Sequence, residues 1–175
     1  MASKRKLIRL EVVALLLGAI DSGGIVQVND TRILPHKMDT LPQINVYGLT
    51  EDADAKGTNP KEYTRTVNLG IEIIQAAVDS IDNDFIDDVT DQIEEILFAK
   101  PFLTTKVSDD VIYDGIVTTL EDTGNKVVSS TEMRWLIPYR KLAPTPSALD
   151  DFNKEETIYD MNNNPDSQME SKTNV

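Results

Sequence analysis

Cysteine is absent from this 175-residue chain, so disulfides, zinc–thiolate centres and thiol nucleophiles are excluded. Histidine occurs once, as His36, in a polar stretch beside Pro35. With no second histidine and no matching carboxylate pattern, it supplies neither a metal site nor a catalytic base. No Gly-x-Ser-x-Gly, Walker loop, dinucleotide glycine fingerprint or His/Glu metal spacing occurs. Positive charge is scarce: 17 Lys and Arg stand against 30 Asp and Glu, a formal net charge of −13. That balance opposes adhesion to nucleic acid and to anionic membranes. The apolar run at residues 12–20 is too short to span a bilayer, so no membrane role is expected. Carboxylates are plentiful, but none is marked by its neighbours as buried or paired. The sequence therefore supports no enzymatic activity, no cofactor and no metal, and describes a protein that binds or builds.

What is present is periodicity. In residues 62–76, Val67, Leu69, Ile71 and Ile73 alternate with Thr66, Asn68, Gly70 and Glu72, the period-two pattern of a strand with one row in a core and the other facing water or a neighbour. As one strand the segment would be roughly 50 Å long against a usual ~17–20 Å. It is either a long central strand or a strand extended into an assembly interface.

Around it, the basic start Lys4-Arg5-Lys6 and the apolar run after it superficially suggest a signal peptide. Glu11 interrupts that pattern and no small-x-small cleavage site follows. A helix over 4–20, stopped by Gly23-Gly24, is preferred. Leu7, Leu10, Ala14 and Leu17 share one face of it, and its second half is apolar nearly all round, so it needs cover on more than one side. Residues 25–28 and 31–34, joined by Asn29-Asp30, read as a short hairpin or two strand fragments. A strand follows over 42–49, then a polar loop over 50–61 carrying Glu51, Asp52 and Asp54, which lack the ligand spacing and glycine of a calcium loop.

A second helix is predicted to end near Ala99, with Asp82 or Asp84 as N-cap. Phe85, Ile86, Val89, Ile93, Ile96 and Leu97 recur on one face; Asp84, Asp87, Asp88, Asp91, Glu94 and Glu95 occupy the other. Residues 116–121 and 126–141 flank the turn Asp122-Thr123-Gly124-Asn125 as a hairpin, with Trp135 as a core anchor and Pro138 required at an edge or strand end. The fold class is thus α+β: a mostly antiparallel sheet with two main helices packed on it, in a domain over 1–141. Residues 142–175 carry three prolines and seven acids against Lys154 and Lys172. They form an acidic arm expected to be ordered only along another subunit, anchored by Phe152, Ile158 and Tyr159 with Ala148, Leu149 and Met161.

The order helix, strand pieces, long strand, acidic helix and terminal hairpin resembles the tail terminator proteins of long-tailed bacteriophages, the minor tail protein U-like family. The likeness rests on Asn29-Asp30-Thr31-Arg32, on Leu41-Pro42-Gln43-Ile44-Asn45-Val46-Tyr47 entering a strand, and on Tyr63-Thr64-Arg65-Thr66-Val67-Asn68-Leu69 after a polar loop. The resemblance implies a virion protein, assembled in the host cytoplasm, that forms a ring, usually of six copies. Such a ring docks on the last ring of the tail tube, stops its growth and offers a surface to head-side neck and connector proteins, while DNA passes through without specific binding. Another neck or head–tail joining protein would share the composition, and a cellular adaptor that binds a peptide along a strand edge is a further class. The candidate subunit interface is Tyr63, Arg65, Val67, Leu69, Ile71 and Ile73, with Phe152, Ile158 and Tyr159 of the arm. Glu51, Asp52, Asp54, Asp87, Asp88 and Asp91 are candidates for an acidic channel or loop.

Overall fold

The period-two stretch becomes the centre of a sheet. A computed structural model describes residues 3–20, 25, 27–32, 41–56, 62–77, 82–103, 107–122 and 126–142. They form α1 (Lys4–Ala19), β1 (Gln27–Asn29), β2 (Gln43–Ala55), β3 (Glu62–Ala77), α2 (Asn83–Phe98), β4 (Ile112–Asp122) and β5 (Val127–Leu142). The sheet order is β1-β2-β3-β5-β4; β1 lies parallel to β2 and every other pairing is antiparallel. The α+β class read from the sequence is the one observed.

β3 is long because its neighbours are long. β5 pairs with it from Glu62↔Leu142 to Ala77↔Val127, and β2 from Ala55↔Tyr63 to Gln43↔Ile74. Both edges of β3 are therefore taken within the chain, which settles its two readings in favour of the central strand. The first half of the expected twelve-residue loop is also strand. After a bulge between Gly48 and Glu51, β2 continues to Ala55, and Lys56 N donates to Glu62 O at 2.8 Å to close the pairing. Asp and Ala have poor strand propensity, but cross-strand partners override it. β1 adds to β2 in parallel register, Val28 opposite Ile44, and residues 33–34 of the expected hairpin lie outside the described residues.

The core lies on one face of the sheet under both helices. Ile44 and Val46 of β2, Leu69 and Ile71 of β3 and Met133, Trp135 and Ile137 of β5 meet Ile8, Val12 and Leu16 of α1 and Val89, Ile93 and Leu97 of α2. Fully burying side chains of this size contributes ~1.5–3 kcal/mol each. Trp135 is the anchor foreseen, with the Tyr113 and Phe98 rings at centroid distances of 5.1 and 5.4 Å. Asp82 caps α2 by accepting from Phe85 N at 3.1 Å, and Ser3 caps α1 by accepting from Lys6 N at 3.2 Å. α1 turns Ile8, Val12, Val13 and Leu16 inward, so Leu7, Leu10, Ala14 and Leu17 form its outward face.

Pro138 sits inside β5 without breaking a ladder. β4 pairs no further along β5 than Ile112↔Leu136, and Asp109 N donates to Pro138 O at 2.7 Å from that vacated side. In a strand the N and O of one residue point the same way, so the missing N–H faces the side where β4 has ended. Gly115, with φ +147°, occupies the β4 bulge between Tyr113 and the onward register, a conformation that L side chains rarely adopt.

Candidate functional site

The sheet face opposite the helices is polar where it is most buried. One rung across it reads Asn29, Asn45, Glu72, Glu132, Val117, which places two glutamates side by side. Like charges directly opposite are destabilising, and each carboxylate is supplied with its own donors. Glu72, 1% exposed, accepts from Arg32 at 2.9 Å, Ser130 Oγ at 2.8 Å and Asn45 Nδ2 at 3.3 Å. Glu132 accepts from the Tyr47 hydroxyl and from Arg134 Nε at 3.2 Å. Amide pairs continue the row: Asn29 donates to Asn45 at 3.0 Å and Gln27 to Gln43 at 2.9 Å. The Arg32 guanidinium also lies 5.2 Å from the Tyr47 ring centroid. Gly70 makes room for that ring, since a Cβ there would meet Tyr47 Cε2 at 2.9 Å.

The electrostatics follow from these contacts. Burial pushes the Glu72 carboxyl upward, but the bonds from Arg32, Ser130 and Asn45 outweigh it and hold the group below the usual glutamate range. Glu72 in turn holds the Arg32 guanidinium above its ordinary value. Burial, then the bond to Glu132, raises the Tyr47 hydroxyl. Glu72 has three protein donors, and its chemistry is that of an electrostatic clamp tying β2, β3 and β5 to the segment at Arg32.

A second cluster closes the far end of the sheet on the helix side. Tyr139 OH donates to Glu51 Oε1 at 2.7 Å, and Arg65 Nη1 donates to the same oxygen at 2.9 Å. The Tyr139 bond, then that of Arg65, keeps Glu51 low despite partial burial; burial, then the bond to Glu51, raises the Tyr139 hydroxyl. The basic N-terminus is tied in here. Lys4 Nζ donates to Arg140 O at 3.0 Å and lies 5.3 Å from the Tyr139 ring centroid. Arg5 Nη2 donates to Gly48 O at 3.1 Å, its guanidinium occupying the space a Cβ at Gly48 would need.

The third feature is an open edge. Among the described residues no strand pairs with the outer side of β4, and Ile112, Ile116, Val117 and Leu120 along it are 44–64% exposed.

The sequence-derived candidates divide accordingly. Val67, Leu69, Ile71 and Ile73 are 0–1% exposed in the chain's own core, so the contact surface expected of them is not available. They are buried because the polar row, not the apolar one, faces away from the helices. Tyr63 and Arg65 are half-buried at the sheet's end, Arg65 being engaged by Glu51. Glu51 belongs to that ion pair, whereas Asp52 and Asp54 are exposed on β2 and Asp87, Asp88 and Asp91 on α2. Phe152, Ile158 and Tyr159, like His36, lie outside the described residues. Glu72, Glu132 and Arg32 were not singled out by the sequence, because a polar residue in an alternating strand gives no sign of whether its face is covered. Among the described residues no group of three or more acidic or histidine side chains is placed to hold a metal, and no helix is long and apolar enough to cross a membrane.

No family model matches the chain and no curated protein matches it. Among solved structures, a chain described as "Virion of native gene transfer agent (GTA) particle" superposes with a TM-score of 0.42 at 13% identity, over 77% of this chain and 92% of that one. That degree of overlap falls short of a shared fold.

Proposed function

We propose that this chain is a structural protein of a phage-like virion that assembles into a ring of six at the head-proximal end of the tail. There it ends polymerisation of the tail tube and offers a docking surface to head-side neck proteins. The observation that carries this reading is the outer edge of β4. Among the described residues β4, eleven residues long, pairs with β5 alone, and an outer strand edge with an apolar fringe is one that a stable monomer avoids presenting to water, whereas an assembly covers it. A heterologous contact repeated around an axis closes into a ring when the rotation permits. The exposed acids Asp52, Asp54, Asp87, Asp88 and Asp91, within a net charge of −13, suit a passage that DNA traverses without adhering. Nothing in the two polar clusters supplies a nucleophile with its base, which favours a building role over an enzymatic one. Residues 142–175 serve in this proposal as an arm ordered by partners.

Native mass spectrometry, alone and with tail-tube subunits, tests the ring, and electron microscopy of particles lacking the protein tests its role. A hexamer and tails of uncontrolled length are expected. Normal-length tails detached from heads would assign the chain to head–tail joining, and a monomer under both conditions would remove the ring.

A further inference from the structure

α1 presents an apolar seam to solvent. Leu7, Leu10 and Leu17 are 39%, 38% and 61% exposed; with Ala14 between them they follow the 3-4-3 spacing of a helix seam that seats a partner. Gly18 at its far end is open, with nothing within 4 Å of a Cβ placed there. The helix also carries Lys4, Arg5, Lys6 and Arg9 against Glu11; Lys4 and Arg5 bond carbonyls of β5 and β2 and Arg9 pairs with Asp30 at 3.7 Å, while Lys6 borders the seam between Leu7 and Leu10. A partner for this surface must be acidic and must carry large apolar side chains at matching intervals.

The chain contains such a segment. Leu149, Phe152 and Tyr159 are separated by the same intervals as Leu7, Leu10 and Leu17. Between and beside them lie Asp150, Asp151, Glu155, Glu156 and Asp160 against Lys154. Leu149 lies seven Cα steps beyond the end of β5 at Leu142, enough to cover roughly 23 Å when extended. We infer that residues 149–160 of one copy dock on the Leu7–Leu10–Leu17 seam of α1 in a second copy, apolar side chains interleaving and acids facing the basic first half of the helix. This rests on the multi-copy reading above. A linked contact of this kind adds to ring closure through effective concentration, beyond its own affinity.

The absence of cysteine from the sequence allows a direct test in the full chain. Leu10→Cys and Phe152→Cys are made in separate preparations, mixed, co-assembled and oxidised. A disulfide-linked product joining the two different chains is expected, severalfold above what either preparation gives alone. Lys6→Glu should lower its yield severalfold, and Asp150→Lys with Asp151→Lys should restore it. If native mass spectrometry shows a ring but the mixed product is missing, the inference falls and the ring stands. A bond that forms only when both cysteines sit on one chain overturns the contact between copies. A monomeric protein removes both readings. A mixed product from a protein whose loss leaves tail length normal keeps this contact and removes the terminator role.

Discussion

Glu72 and Glu132 face each other directly across β3 and β5, yet each takes a separate set of donors, Arg32, Ser130 and Asn45 for one and Tyr47 and Arg134 for the other. Two acids in the middle of a sheet are thus tolerated because each carboxylate has hydrogen-bond donors of its own. The arrangement depends on its donors, and the donors can be removed one at a time.

Replacing Arg32 by Ala strips the buried carboxylate of its counter-charge. Because Arg32 remains half exposed, the loss should fall at the low end of the ~1.5–3 kcal/mol of a charged hydrogen bond. In the native protein Glu72 sits below its unfolded pKa, so its contribution is complete above about 4.3 and disappears as pH falls through the folded value. In the variant burial dominates and raises that pKa, so the deficit should be largest at neutral pH and shrink on acidification. Urea midpoints across pH 4–7 check it; a deficit that does not change with pH counts against the clamp.

Tyr139→Phe removes the strongest influence on Glu51 while leaving the ring in place. A loss of ~1.5 kcal/mol is expected. The Glu51 pKa then moves back toward its ordinary value, so less stability is lost as pH falls below ~4.3. The difference between the two proteins should accordingly narrow in acid. Paired pH titrations of stability measure this.

Trp135 is the single tryptophan and is fully buried, making it a reporter for the α2 contact. Phe98→Ala uncovers it from one side, and its emission should shift to the red with increased quenching by iodide. Phe98 is itself half exposed, so the stability cost should stay well under the ~3–5 kcal/mol of a buried Phe→Ala change. Unchanged quenching would show that the ring does not shield the indole.

Ile116→Lys with Leu120→Lys places charge on the open edge, the device by which natural sheets block pairing. Both side chains are exposed, so monomer stability should move by no more than ~0.5 kcal/mol per site. Self-association, followed by sedimentation velocity, should weaken strongly. If association is unaffected, the copies meet elsewhere.

The elements legible in the sequence were those with a single consistent period. Phe85, Ile86, Val89, Ile93 and Leu97 could be nothing but one helix face, and the arms around residues 122–125 could be nothing but a hairpin. α1 was harder: with apolar residues on nearly every side, its pattern could not choose between the Ile8–Val12–Leu16 face and the Leu7–Leu10–Leu17 face. The extension of β2 through Asp52 and Asp54 was hidden because its stability comes from partners in β3. The clamp was hidden for the same reason, since Glu72, Arg32 and Ser130 are remote in sequence and meet only through strand register.

The strand order carries a kinetic consequence. β5 fills the slot between β3 and β4, but it is made last of the five strands, and 65 residues must be added after Ala77 to complete it at Leu142. At ~5–20 residues per second, a nascent chain would hold the β3 edge uncovered for roughly 3–13 seconds. Neighbouring ribosomes on one message would then be producing copies with that same bare, strongly apolar ladder, which makes translation speed between β3 and β5 a determinant of soluble yield.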